Sequence, residues 1–193
     1  MSSIDMQEHK PRLLVFAGPN GSGKSTVTRG LPIVGMYVNA DEIKRVSGCS
    51  DLEAAQEAEK LREMLLKNRS DLTFETVLST DRNLNYLERA KNAGYEIYAV
   101  FVLTRDSEIN VQRVKIRSEA GGHSVPEDKI RNRYEKSLKN LSRLVRISDI
   151  TRIIDNSGER PCLICEVKDG HASIWENDVW NKNEVLRLLE EHR

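Results

Sequence analysis

Apolar positions along the chain gather into short runs that end in turn residues, and between these runs the apolar residues recur at helical spacing. Such alternation is the pattern of strand and helix units wound into a mostly parallel sheet. Leu13 to Ala17 is unbroken and ends at Gly18, which predicts a strand covered on both faces, with a helix following from Lys24. A short strand is expected from Met36 to Asn39, ending at Asp41. Asp51 to Lys67 carries Leu52, Ala55, Leu61, Met64 and Leu65 behind a Ser or Asp cap, so a helix is predicted there. Leu72 to Val77 reads as the third strand, Asn83 to Ala93 as a helix closed by Gly94, and Tyr95 to Leu103 as the most apolar and hence central strand. Two helices are expected over about 106–119 and 126–145, separated by Gly121-Gly122-His123-Ser124-Val125 as a flexible joint. Thr151 to Asp155 supplies a fifth strand. Leu163 to Val167 and Ala172 to Trp175, joined through Lys168-Asp169-Gly170, read as a hairpin, and a last helix is expected from about Asn183 to Glu191. The expected architecture is α/β, a mainly parallel five-stranded sheet flanked by helices, with a C-terminal hairpin and helix (about 159–193) in one domain spanning residues 1–193.

Composition narrows the class. The chain has 193 residues, 38% of them hydrophobic, enough to bury one core. Its longest apolar run, Ile97 to Leu103, is seven residues, far below the roughly 20 that span a bilayer. The start of the chain is polar and carries Asp5 and Glu8, unlike a secretory signal, so the chain reads as cytoplasmic. Thirty Lys and Arg balance thirty Asp and Glu, which removes the whole-protein positive field that holds nucleic acid most simply. Charge is uneven, however: Val111 to Arg146 holds ten Lys or Arg against four acids. Three cysteines form no closed disulfide set. Cys162-x-x-Cys165 has half the spacing of a zinc site, but it lies in an expected strand, where residues three apart point to opposite faces.

The strongest motif is Gly18-Pro19-Asn20-Gly21-Ser22-Gly23-Lys24-Ser25-Thr26, a complete G-x-x-x-x-G-K-[ST] (Walker A) between a strand and a helix. Backbone N–H groups in such a loop wrap phosphates, and glycines let the chain approach them without a side-chain clash. Lys24 is expected at the β and γ phosphates, and the Ser25 hydroxyl on Mg²⁺. The strand Ile97 to Leu103 ends in Thr104 and Arg105 without an acid for a motor-type magnesium site, and no Asn-Lys-x-Asp follows a strand. ATP is therefore expected over GTP.

Acids cluster instead in Asn39-Ala40-Asp41-Glu42 and Phe74-Glu75-Thr76. Ligands of open parallel sheets lie beyond the carboxyl ends of the strands, which puts these acids beside the phosphate loop. One carboxylate there could take a proton from a substrate hydroxyl and another could hold the substrate. Two simpler roles stay open, a helix N-cap for Asp41 and a strand-end charge for Glu75. The basic helices read as a lid over about 106–146. Arg113 and Arg117 share a face and Arg133 lies across the glycine joint, where cations can meet charge on a transferred phosphoryl group. Most of the ten cations are expected simply to face water.

These residues together resemble the zeta toxin family of P-loop kinases. The resemblance rests on Gly18 to Thr26, Asn39 to Glu42, Phe74 to Thr76, the stretch from Arg113 to Asn140 with Gly121 to Pro126 and Arg133-Tyr134, and Asp155-Asn156-Ser157. It implies an ATP- and Mg²⁺-dependent transferase that phosphorylates a hydroxyl, in the best-known members that of UDP-N-acetylglucosamine. It further implies Asp41 as general base, Glu75 and Thr76 as substrate contacts, Lys24 with two lid arginines on the phosphates, and the Asn156 loop near adenine. Arg117 and Arg133 are favoured for the lid pair over Arg113 and Arg131. The chain is short for such a toxin, so its acceptor, and an antitoxin partner, stay open. Two other readings stand beside this one, a non-catalytic ATP-gated binding module and a polynucleotide-end kinase. Tyr134 is the sole aromatic in the basic segment, which speaks against a groove that stacks bases.

Overall fold

A computed structural model describes residues 10–122 and 125–190. His123, Ser124 and Glu191, included in the expectations above, lie outside the described residues, as do Asp5 and Glu8.

Seven strands form a single sheet in the order β2-β3-β1-β4-β5-β6-β7. The first five, β2 (Met36–Val38), β3 (Leu72–Thr76), β1 (Arg12–Ala17), β4 (Glu96–Leu103) and β5 (Ile150–Asp155), are parallel neighbours. The hairpin of β6 (Cys162–Lys168) and β7 (His171–Ile174) does not stand outside this sheet but continues it antiparallel from β5. Its turn sets Asp169 and Gly170 at φ 51° and 76°, the left-handed pair of a tight two-residue hairpin. The most apolar strand, β4, lies in the middle of the seven, as its run of buried residues requires.

Helices cover both faces. One face packs Leu13, Val15, Phe74, Ile97 and Phe101 against α3 (Asp51–Lys67), α4 (Asp81–Asn92), α7 (Leu141–Ile147) and α8 (Lys182–Leu189). The other buries Leu14, Phe16, Val100 and Val102 against Val27 of α1 (Lys24–Thr28). The basic pair α5 (Ser107–Glu119) and α6 (Glu127–Lys139) has a small core of its own in Val111, Val114 and Ile130. The Tyr134 hydroxyl donates to the Thr104 carbonyl at 2.7 Å and ties this pair to the end of β4.

Four features depart from the sequence reading. A helix, α2 (Ala40–Ser47), follows β2 directly; Ala40, Ile43 and Val46 lie at helical spacing, but in eight residues and with none of them fully buried the stretch is short of a full helical pattern. The expected helix over 126–145 is broken at Asn140 into α6 and α7, where the Asn140 amide reaches the Leu78 carbonyl at 2.9 Å. A shift in the β5–β6 register between Ile153 and Ile154 lets both Cys165 and Cys162 pack against the same core instead of opposite faces, and both are free thiols. Gly121 and Gly122 form a helix stop: their N–H groups donate to Ser118 and Arg117 carbonyls at 3.0 and 2.9 Å, and Gly121 takes φ 86°. This is the two-bond Schellman pattern, and it fixes Arg117 in the last turn of α5. Among the described residues no helix is long and apolar enough to cross a membrane.

Candidate active site

The phosphate loop leaves β1 at Gly18 and enters α1 at Lys24. Gly18 has φ 138°, and a Cβ there would sit 2.1 Å from the Val102 carbonyl oxygen, so no other residue fits beneath β4. Two buried amides hold the loop from below. The Asn156 amide donates to the Ser22 carbonyl at 2.7 Å, and that of Asn110 to the Asn20 carbonyl at 2.7 Å. Asn110 is itself wedged by a hydrogen bond from the Thr104 hydroxyl. Sequence reasoning missed Asn110, because an asparagine within a basic helix carries no signal until that helix is docked on the loop. The Ser22 hydroxyl is buried without a hydrogen-bond partner, whereas Ser25 and Thr26 are exposed at the start of α1.

Lys24 folds back over the loop and donates to the Gly18 and Pro19 carbonyls at 2.7 and 3.1 Å. Burial lowers its pKa to about 8, with the Glu75 carboxylate opposing that shift, Arg117 adding to it and Asp41 opposing it. The lysine, both candidate acids and one candidate lid arginine therefore share one electrostatic site at the carboxyl end of the sheet. Arg133 reaches the same loop and donates to the Asn20 side-chain oxygen at 3.2 Å.

The other two lid arginines are engaged differently. Arg113 donates to the Asn156 carbonyl at 2.7 Å, on the loop after β5. Arg131 bridges α5 and α6 by pairing with Glu108 at 2.6 Å and Glu127 at 3.1 Å, and these bonds raise its pKa further. Asp155 tightens the Asn156 loop by accepting from the Ser157 N–H at 3.0 Å and the Asn177 amide at 3.2 Å.

Asp41 is not the helix cap. Asn39 caps α2, its side-chain oxygen accepting from the N–H groups of Asp41 at 2.8 Å and Glu42 at 3.4 Å. The Asp41 carboxylate is thereby released from local duty in the first turn. Glu75 accepts a hydrogen bond from the Tyr37 hydroxyl, which in turn accepts from the Asn39 amide at 3.0 Å. Thr76 is buried, and its hydroxyl accepts from the Leu78 N–H at 2.9 Å and the Asn83 amide at 2.7 Å. Leu78, buried and at φ 56°, is a leucine held in the left-handed region, a cost of order 1–3 kcal/mol that surrounding structure must offset. Thr76 on one side and Asn140 on the other supply that restraint.

Comparison with known proteins places this arrangement. A chain of the AvrRxo1-ORF1:-ORF2 complex solved with ATP superposes with a TM-score of 0.67 at 15% identity, over 95% of this chain and 64% of that one. This chain thus spans under two thirds of that neighbour. The PezAT toxin-antitoxin system of Streptococcus pneumoniae gives a TM-score of 0.56 at 18% identity, over 95% and 89% of the two chains. Both likenesses show the fold alone, a mostly parallel α/β sheet flanked by helices. An uncharacterized protein of Haemophilus influenzae is 27% identical over 129 residues, which are 64% of this chain and 92% of that protein. The family model described as Zeta toxin matches residues 32–179, starting just past the phosphate loop and taking in both acids, the lid helices and the Asn156 loop. A match over that much of the sequence, joined to a Walker A loop on the expected sheet, makes the chain a member of the zeta toxin family.

Proposed function

We propose that residues 1–193 form one kinase domain that transfers the γ-phosphoryl group of ATP to a hydroxyl of a small metabolite, a nucleotide sugar of the UDP-N-acetylglucosamine kind. The observation that carries this reading is that Lys24, which donates to the Gly18 and Pro19 carbonyls of the phosphate loop, feels the charges of Glu75, Arg117 and Asp41. A binding module needs the loop and the lysine but has no use for two carboxylates on the acceptor side of it.

In this reading Gly18 to Thr26 wrap the phosphates, with Lys24 on the β and γ oxygens and Asn156 bracing the loop toward the nucleotide. The donor set suits Mg²⁺ with ATP: the Ser25 hydroxyl, exposed at the start of α1, would hold the ion, whose charge draws electrons from the phosphoryl oxygens. Glu75, at the end of a strand shaped by Thr76, holds the acceptor. Asp41 takes the acceptor proton as the new oxygen–phosphorus bond forms and the bond to the β-phosphate oxygen breaks. Arg117 and Arg133 meet the charge spread over the equatorial oxygens. The proposed compartment is the cytoplasm. An antitoxin is the protein partner this reading suggests, since the S. pneumoniae neighbour belongs to a toxin-antitoxin system.

The test is incubation with γ-labelled ATP and either UDP-N-acetylglucosamine or a metabolite extract, followed by identification of the labelled product. Label in a sugar hydroxyl, absent with Lys24→Ala, supports the reading. Release of inorganic phosphate alone from both mixtures would sink it.

A further inference from the structure

Tyr37 belongs to none of the motifs that mark the site, yet it is the group that meets the Glu75 carboxylate. It lies on the edge strand β2 and borders a cleft of 340 Å³ lined also by Asn39, Glu42, Ile43, Val46 and Leu61. Its hydroxyl donates to Glu75 Oε1. The direction of that bond is set from the other side. Asn39 uses its side-chain oxygen to cap α2 through the Asp41 and Glu42 N–H groups, so its amide nitrogen must face Tyr37 and donate to the phenol oxygen at 3.0 Å. An oxygen that already accepts from Asn39 has its own proton to give, and Glu75 receives it.

From this chain of bonds we infer that Tyr37 is a positioning residue, one that fixes Glu75 relative to the Asp41 helix and thereby sets where the acceptor hydroxyl sits. This rests on the kinase reading above. Glu75 hangs from β3, whereas Asp41 lies in the first turn of α2, and the bonds through Tyr37 and Asn39 join the two supports. With Oε1 committed to the phenol, Oε2 is the oxygen that serves the acceptor, and Asp41 is the acid left to take its proton. Burial first, and then the bond to Glu75, raise the pKa of Tyr37 well above the ordinary phenol value, so the phenol keeps its proton throughout the working pH range.

The experiment uses Tyr37→Phe, which keeps the ring and removes the hydroxyl, with UDP-N-acetylglucosamine as the acceptor probe. KM for the acceptor is expected to rise about tenfold, as for loss of a hydrogen bond to a charged group, while KM for ATP stays within twofold. In a Glu75→Gln background the same change should add less than twofold, because the group it positions is gone. Equal rises in both KM values, or effects that simply multiply, would mark Tyr37 as ordinary packing and overturn the inference. A second measurement does not depend on turnover. With tyrosine labelled at Cζ, the resonance that vanishes in Tyr37→Phe should shift in Glu75→Gln. No shift overturns the positioning role even in an active enzyme, and a shift in a chain without Lys24-dependent transfer overturns the kinase reading instead.

Discussion

The Lys24 ammonium lies 2.7 Å from the Gly18 carbonyl oxygen at the mouth of its own phosphate loop. The loop's own Gly18 and Pro19 carbonyls satisfy the lysine, so a phosphate that Lys24 is to hold would have to displace at least one of them. Burial holds the pKa of this lysine down at about 8. Bound phosphates favour the charged ammonium, so its pKa is higher in the complex than in the free chain. Affinity for ATP is then full below pH 8 and falls above it, by up to tenfold per pH unit, until the complex itself titrates. Calorimetry at pH 9 in two buffers of different ionisation enthalpy should find close to one proton taken up per ATP bound. Zero uptake would remove the linkage.

Replacing Asp41 by Asn separates a general base from a structural acid. Since Asn39 supplies the cap, Asp41→Asn should leave the melting temperature in place while turnover falls by roughly 10²- to 10⁴-fold. Asn39→Ala reverses the pattern in part, costing about 1 kcal/mol for the lost cap. Equal turnover for wild type and Asp41→Asn on the identified acceptor would leave Glu75 as the candidate base.

Arginines on the lid should divide by what they touch. Arg117→Ala and Arg133→Ala are expected to lower kcat more than ATP affinity, because their charges act on the transition state. Arg131→Ala breaks exposed pairs with Glu108 and Glu127, which water and salt screen heavily, and should leave kcat within about twofold. Single-turnover rates measured beside equilibrium binding check this. A loss confined to binding in Arg117→Ala and Arg133→Ala would make both of them ground-state clamps.

Asn110→Ala should act at a distance from the reacting atoms. The change leaves the Asn20 carbonyl without its buried donor, a loss of roughly 1–3 kcal/mol in stability. It should also weaken ATP binding without touching the acceptor KM. Chemical denaturation and nucleotide titration of one preparation read both effects, and unaltered ATP affinity would show that the loop holds its shape without this brace.

The parts of this molecule that declare themselves in sequence are those in which one short segment does the whole job. Gly18 to Thr26 needs nothing but its own glycines, lysine and hydroxyls to be recognised, and buried strands such as β4 are written as apolar runs. Helix α2 had a legible signal too, Asn39 followed by Asp41 and Glu42, Ala40, Ile43 and Val46 at helical spacing, and Gly48 closing at φ 71°, but its eight residues are fewer than the stretch over which that periodicity is usually read. The break at Asn140 could not be read, because its cause is the Leu78 carbonyl 62 residues away. The same holds for the site: the acids and arginines were visible by type, whereas the braces Asn110 and Tyr37 gain their meaning only from partners far along the chain.

Those braces also determine when the loop acquires its shape. Asn20 is held from Asn110 and Arg133, and Ser22 from Asn156, across 90, 113 and 134 residues. During synthesis the Walker sequence leaves the ribosome well before its last brace, which follows more than a hundred residues later. The loop should therefore be one of the last parts of the molecule to mature, since contacts of such long sequence separation form slowly. Pulse-labelled amide exchange during refolding is expected to protect β1 and β4 before residues 20–23, so a nascent chain does not bind nucleotide until Asn156 has emerged and docked.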